Sequence, residues 1–218
     1  MPFLKVPRQV ISSSWFETVP GRILLQAEHV LLARAALRSA MVQPWLWLRL
    51  DTLNPLAELP RGNGLSLVRN GHRFHGDVRC GLHLPLATES IQSIIVQHCT
   101  VCHPDDLLAE CARVLKPGGR IWLFVLNPHS PYRLHWCKSH CQAAWPSHWQ
   151  AVLTQLGLTC LSSPQYVGPT WRPVRCPPQR GPGRPWQAAC LLIAQKRTFT
   201  FTPLLCPELA WRKPVTAI

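Results

Sequence analysis

Two stretches of the chain, residues 91–97 (IQSIIVQ) and 121–126 (IWLFVL), are apolar almost without interruption. Strands covered on both faces of a parallel sheet read this way, because neither face meets water. Between them the period changes: Leu107, Leu108, Cys111, Val114 and Leu115 recur at helical spacing, which predicts one buried stripe. Pro104 suits the first position of that helix, where its missing N–H is not needed. Asp105 and Asp106 favour the positive end of the helix dipole. Lys116-Pro117-Gly118-Gly119 ends it with a cation, a breaker and residues free to take positive φ. Strand, helix, glycine turn and strand make a βαβ unit, for which parallel strands and a right-handed crossover are expected.

The same reading extends outward. Residues 23–41 form a helical run through Ile23, Leu24, Ala27, Val30, Leu31 and Ala35, stopped by Pro44. Residues 45–50 are a β-like run ending at Asp51, residues 52–64 a Pro- and Gly-containing loop, and 65–68 a second strand before the turn Arg69-Asn70-Gly71-His72. A short segment, 73–78, ends in Gly76-Asp77-Val78. Late in the chain, a helix over 145–156, a strand over 158–162 and a final strand over 188–194 are expected. Residues 164–185 hold seven Pro and four Arg and predict no regular element. The order implies an α/β protein with one open sheet. Residues 1–197 are read as a single domain, with an N-terminal helical segment over 1–44, a Pro/Arg-rich insertion over 164–187, and a tail over 198–218.

Composition agrees with a globular domain: 218 residues, 47% of them apolar, are enough to bury a core. No apolar run is long enough to span a bilayer and no export signal is apparent, so a cytoplasmic chain without a membrane partner is expected. The formal charge of +13 is unevenly spread. Residues 1–72 carry eight Lys/Arg against four Asp/Glu, 73–135 six against five, and 136–218 nine against one. The basic C-terminal third would attract a nucleic acid or another anionic partner, although Arg-rich codon usage accounts for it as well. Ten Cys without an export signal point to reduced thiols, most of them small core residues.

Several motifs then carry a family resemblance. Gly76-Asp77, His83-Leu84-Pro85-Leu86, Ser90-Ile91, the strand to His98, Pro104-Asp105, and Leu108-Ala109-Glu110-Cys111-Ala112-Arg113-Val114-Leu115-Lys116-Pro117-Gly118-Gly119 together resemble class I methyltransferases of the type 11 group. Asn127-Pro128-His129-Ser130 followed by Leu134, the opening from Trp15 to Gly21, and the late run from Leu191 to Arg197 are similar to a bacterial branch of that group. The resemblance implies a Rossmann-like open sheet, mostly parallel with a late antiparallel strand. It also implies an S-adenosylmethionine-dependent methyltransferase acting on an unknown acceptor.

The departures from the pattern are specific. The class carries a glycine-rich turn after the first strand, because only glycine lets the backbone approach the cofactor's methionine moiety closely. Residues 48–55 here contain no glycine, and the turn of the branch is itself reduced. Arg69-Asn70 stands where the class places an acidic residue for the ribose hydroxyls. The alternative is therefore a catalytically silent methyltransferase-like module that binds RNA or a protein partner through the basic C-terminal third.

The resemblance implies cofactor contacts at Asp77, with the exocyclic amine of adenine, and at Val78, through its N–H; an Asp capping its own turn is the plainer reading. Asp51 suits the cofactor's cationic amine, or is an ordinary loop carboxylate. His98 follows the fourth strand at the carboxyl edge, where open α/β folds place ligands. It lines the pocket, acts as a base, or is structural. Asn127-Pro128 and Tyr132 are read as facing substrate. No residue is assigned a catalytic role, because in-line displacement on a sulfonium proceeds by alignment alone.

Two further signals compete with these. Cys99-Thr100-Val101-Cys102-His103 has the spacing of a c-type haem attachment, which needs export and is set aside. A thiol-redox pair is one alternative reading, and zinc with a fourth ligand from Cys137, His140 or Cys141 another. Trp171, Arg172, Arg175, Arg180 and Arg184 combine aromatic and cationic groups that stack on bases or steer an anionic substrate, or form a solvated loop.

Overall fold

The computed structural model describes residues 14–37, 42–50, 62–70, 73–99, 104–138, 143–171 and 183–197. Two helices, α1 (Ser14–Glu17) and α2 (Val19–Leu37), precede β1 (Trp45–Leu50), β2 (Gly64–Asn70), β3 (Arg73–Gly76) and β4 (Ile91–Gln97). Then come α3 (Pro104–Val114), β5 (Leu115–Leu126), α4 (Arg133–Lys138), α5 (Pro146–Gln155), β6 (Leu158–Cys160), β7 (Gln165–Val167) and β8 (Ala189–Lys196). All eight strands share one sheet in the order β3-β2-β1-β4-β5-β8-β6, with β7 also on β8.

β2, β1, β4 and β5 are mutually parallel, and β8 runs antiparallel to β5, β6 and β7. This is the open, mostly parallel sheet with a late antiparallel strand expected from the sequence. One pairing was not foreseen: β3 folds back on β2 as an antiparallel hairpin, Leu67 facing Gly76 and Asn70 facing Arg73. Only residues 71 and 72 separate the two strands. A parallel neighbour needs a crossover of a dozen residues or more, so so short a connection forces the reversal.

Side chains alternate across the sheet and bury two cores. Leu46, Leu48, Ile94, Val96, Leu123 and Val125 pack with Leu107, Leu108 and Cys111 of α3 and Trp149 and Leu153 of α5. On the other face Trp45, Trp47, Ile95, Trp122, Phe124 and Leu126 pack with Trp15 and Phe16 of α1, Leu24 and Leu32 of α2, and Trp136 of α4. Helices thus cover both faces, which explains the uninterrupted apolar strands. Each fully buried leucine among them contributes about 1.5–3 kcal/mol.

The Lys116–Gly119 turn does stop the helix, but it also lies inside β5. The register shifts between Ile91–Leu115 and Ser93–Arg120, letting the extra residues bulge out, with Gly118 at φ 76°. A Cβ at Gly119 would stand 2.9 Å from the backbone oxygens of Gln92 and Lys116. Lys196 Nζ donates to the carbonyls of Ala112 (2.9 Å) and Leu115 (2.8 Å), capping the end of α3. Elements β7 and α4 lie where the sequence predicted none. The tail over 198–218 lies outside the described residues. No described helix is long and apolar enough to cross a membrane.

Candidate functional site at the carboxyl edge of the sheet

From β1 the chain proceeds to β2 on one side, and from β4 to β5 on the other. The strand order thus reverses direction between β1 and β4, and the carboxyl ends of strands at such a reversal are where open α/β sheets bind ligands.

Gln97 ends β4 and His98 follows it in the left-handed region, at φ 53°. The His98 backbone N–H donates to Phe124 carbonyl on β5 (3.1 Å), which holds the turn. A non-glycine residue pays roughly 1–3 kcal/mol for such a conformation, and such residues cluster at functional sites. The His98 ring is 3% exposed and lies 4.8 Å from the ring of Phe16.

Beneath it sits Glu28 of α2, fully buried. Trp47 Nε1 donates to Gln97 Oε1 (3.2 Å), Gln97 Nε2 donates to Glu28 Oε2 (2.6 Å), and His98 Nε2 lies 2.8 Å from Glu28 Oε1. The other ring nitrogen, His98 Nδ1, is buried without a partner. Neighbouring His29 also keeps Nε2 buried without a partner. Burial lowers the His29 pKa, the Glu28 carboxylate opposing and Arg49 reinforcing the shift. Sequence reasoning missed Glu28. Its signal was position: Leu24, Glu28 and Leu32 are spaced by four on one helical face, and all three are buried.

Arg69 is 5% exposed at the end of β2, paired in register with Leu50, the last residue of β1. Its guanidinium donates to the Cys99 carbonyl beyond the end of β4. Since β1 lies between β2 and β4, this side chain crosses the carboxyl end of β1. It also stands 5.9 Å over the ring of Phe74.

Among the described residues implied as cofactor contacts, only His98 stands at this edge. Asp51 lies outside the described residues. Asp77 and Val78 follow the reversed strand β3, so they are carried back along β2, away from its carboxyl end. Four residues of strand are about 13 Å. Asp77 Oδ2 accepts from Ser66 N–H (2.7 Å), and Asp77 N–H donates to Ser66 carbonyl (3.3 Å). The carboxylate pins the hairpin, as the turn-capping reading has it, and this placement does not serve an adenine contact. Val78 packs against the first core.

The residues read as facing substrate are engaged elsewhere. Asn127 Nδ2 donates to the carbonyls of Pro185 (2.7 Å) and Gln187 (2.8 Å), and its Oδ1 accepts from His129 N–H (3.1 Å). Tyr132 donates to Thr170 carbonyl (2.7 Å). Both tie the segment before β8 to the end of β5.

Cys99 is fully buried and donates to Gln97 carbonyl (3.3 Å). Burial pushes its pKa up to about 12, which suppresses the thiolate that redox or metal chemistry needs. Cys102, His103, Cys141 and His140 lie outside the described residues, and of Cys137 only the backbone is described. Among the described residues no group of three His, Cys, Asp or Glu is placed to hold a metal.

The segment that carried the family resemblance is a clamp. Arg113 pairs with Glu110 (3.0 and 2.9 Å) and donates to the carbonyls of Leu84 and Leu86 (both 3.0 Å). Glu110 also accepts from Leu84 N–H (3.0 Å). Together they fasten the loop before β4 onto α3.

The family model for a methyltransferase domain matches residues 65–123, which run from β2 into β5. No curated protein sequence matches the chain closely enough to count as a relative. Among solved structures the chain is similar to a SAM-dependent methyltransferase from Thermotoga maritima, with a TM-score of 0.52 at 15% identity, covering 84% of this chain and 93% of that one. Weaker likenesses are to SAM-dependent methyltransferases of Methanosarcina mazei (TM-score 0.44, 14% identity, covering 74% and 97%) and to the YcgJ protein of a Bacillus (TM-score 0.45, 14% identity, covering 78% and 99%). The sheet order agrees with that likeness: the chain has the Rossmann-like open-sheet fold, and its segment from β2 into β5 is similar to a methyltransferase domain.

Proposed function

We propose that the chain is an S-adenosylmethionine-dependent methyltransferase, with its cofactor outside the carboxyl ends of β1, β2 and β4. The observation that carries this reading is His98, a buried ring with an unpartnered Nδ1 and a left-handed backbone, at the sheet edge where ligands bind. A buried polar atom without a partner calls for an explanation, and a ligand at the sheet edge supplies one for His98.

The residues at the edge fit the cofactor by their chemistry. Arg69, whose guanidinium reaches the carboxyl ends of β1 and β4, would hold the carboxylate of the methionine moiety in a charge-assisted pair. Leu50 and His98 would border the remainder. The cofactor, when bound, supplies an electrophilic methyl group on a sulfonium. The protein's share is to align the acceptor behind that methyl group and exclude water, for which buried apolar walls such as Trp47 and Phe16 are suited.

Calorimetry and thermal melting with S-adenosylhomocysteine test the proposal. Ligand at about 100 times its dissociation constant adds about 2.7 kcal/mol, or roughly 5–10 °C for a chain of this size. No heat and no shift at millimolar ligand defeats it. The same proposal includes a cytoplasmic location, supported by the unpaired thiols of Cys80, Cys99, Cys111, Cys160 and Cys190. It also includes a nucleic acid or another anion as a partner for the basic C-terminal third, supported by the exposed rings of Trp171 and Trp186. Salt-independent retention on RNA would remove that part.

A further inference from the structure

The four side chains beneath the edge form a line in which each donor direction follows from the one before. An indole nitrogen only donates, so Gln97 presents its oxygen to Trp47 and its NH₂ to Glu28. Glu28 therefore accepts at Oε2, and its Oε1 faces His98 Nε2 at 2.8 Å. A carboxylate accepting on both oxygens requires the imidazole proton on Nε2. In the neutral ring the lone pair then lies on Nδ1, the nitrogen that has no partner although it is buried. Glu28, Gln97 and Trp47 are each fully buried, so water does not blur the assignment.

We propose that His98, oriented by Glu28, takes the proton of the methyl acceptor, and that the acceptor's nucleophilic atom is therefore an oxygen or nitrogen bearing a hydrogen. This rests on the methyltransferase reading and adds the class of acceptor to it. As the acceptor atom bonds to the methyl carbon, the carbon–sulfur bond breaks and its electron pair returns to sulfur, leaving a neutral thioether. The acceptor's proton passes to Nδ1, and the resulting imidazolium is balanced by the Glu28 carboxylate. Hydroxyls and primary or secondary nitrogens satisfy this step. Thioethers and tertiary amines have no proton to give and are excluded. Glu28 is a positioning residue: it holds the tautomer in which the unpartnered nitrogen is the basic one.

The test uses the full chain labelled with ¹⁵N-histidine. Long-range proton–nitrogen correlation is expected to show His98 with a protonated Nε2 and a bare Nδ1. Glu28→Gln, which keeps the side chain's shape, is expected to bring a substantial fraction of the other tautomer. With methyl-labelled S-adenosylmethionine and a small-molecule cell extract, label is expected in methyl ethers or N-methyl amines. Glu28→Gln should lower that transfer about tenfold or more, with affinity for S-adenosylhomocysteine kept within threefold. His98→Asn, chosen because asparagine tolerates the left-handed backbone, should lower transfer about a hundredfold. A protonated Nδ1 in the unaltered protein, label in a sulfonium or quaternary ammonium product, or undiminished transfer by His98→Asn overturns the proposal. Failure of the unaltered protein to bind S-adenosylhomocysteine defeats the methyltransferase reading instead, and the tautomer spectrum still decides the orientation by Glu28.

Discussion

The guanidinium of Arg69 reaches from the end of β2 to the carbonyl of Cys99 beyond β4, crossing the end of β1 on the way. A cation thus lies over the carboxyl end of β1, where the resemblance leads one to expect a carboxylate.

Arg69→Ala should weaken binding of S-adenosylhomocysteine by about tenfold or more, the worth of a charged hydrogen bond. Arg69→Lys should retain part of it, lacking the two-pronged geometry. Calorimetry on variants with native circular dichroism checks this. Tighter binding by Arg69→Ala would mean that the side chain bars the site instead of serving it.

The Glu110–Arg113 clamp predicts a pH dependence. The Arg113 guanidinium beside Glu110 holds its carboxyl below the usual carboxylate range. A group whose pKa falls on folding stabilises the fold above its unfolded value and loses that contribution as pH falls through the folded one. Melting temperature should therefore decline below about pH 4.5, and less so in Glu110→Gln. Parallel curves for the two proteins would contradict the assignment.

Gly21 lies inside α2, where alanine is ordinarily better by up to about 1 kcal/mol. Here a Cβ would stand 2.3 Å from Trp15 carbonyl and 2.6 Å from Phe16 Cα, backbone that cannot step aside cheaply. Gly21→Ala should instead destabilise by about 1–3 kcal/mol, a fall of roughly 2–12 °C. An unchanged or raised melting temperature would show that α1 need not approach α2 so closely.

Thiol reactivity should divide the cysteines. Burial pushes Cys99 and Cys190 up to about 12 and raises Cys111 further. Iodoacetamide at pH 8 should leave these three unmodified in the native protein and reach the half-buried Cys80 and Cys160. Rapid native alkylation of Cys99 would revive the redox reading.

Much of the sheet was legible because its strands are buried on both faces. Residues 45–50 and 91–97 were read as strands residue for residue, and α3 from its stripe and stop. The direction of β3 was not legible, because a strand's own alternation is the same whichever way it runs. That one reversal moved Asp77 and Val78 away from the expected edge. The strand Gln165–Val167 was hidden among prolines, its pairing set by β8 and not by local composition. The motifs easiest to recognise, Leu84-Pro85-Leu86 and Glu110 to Gly119, turn out to fasten loop to helix. Glu28 drew no notice, since one carboxylate on an apolar stripe resembles surface chemistry until its partners, some seventy positions later, are known.

That separation has a consequence during synthesis. Glu28 leaves the ribosome before the strand that supplies its hydrogen-bond donors Gln97 and His98, 69 and 70 residues later. At roughly 5–20 residues per second it waits about 3.5–14 s. During that interval α2 is a nascent helix with a solvated acid on its greasy side, and only the arrival of β4 dehydrates the carboxylate. The Glu28–His98 pair therefore cannot form until β4 has been made, long after α2.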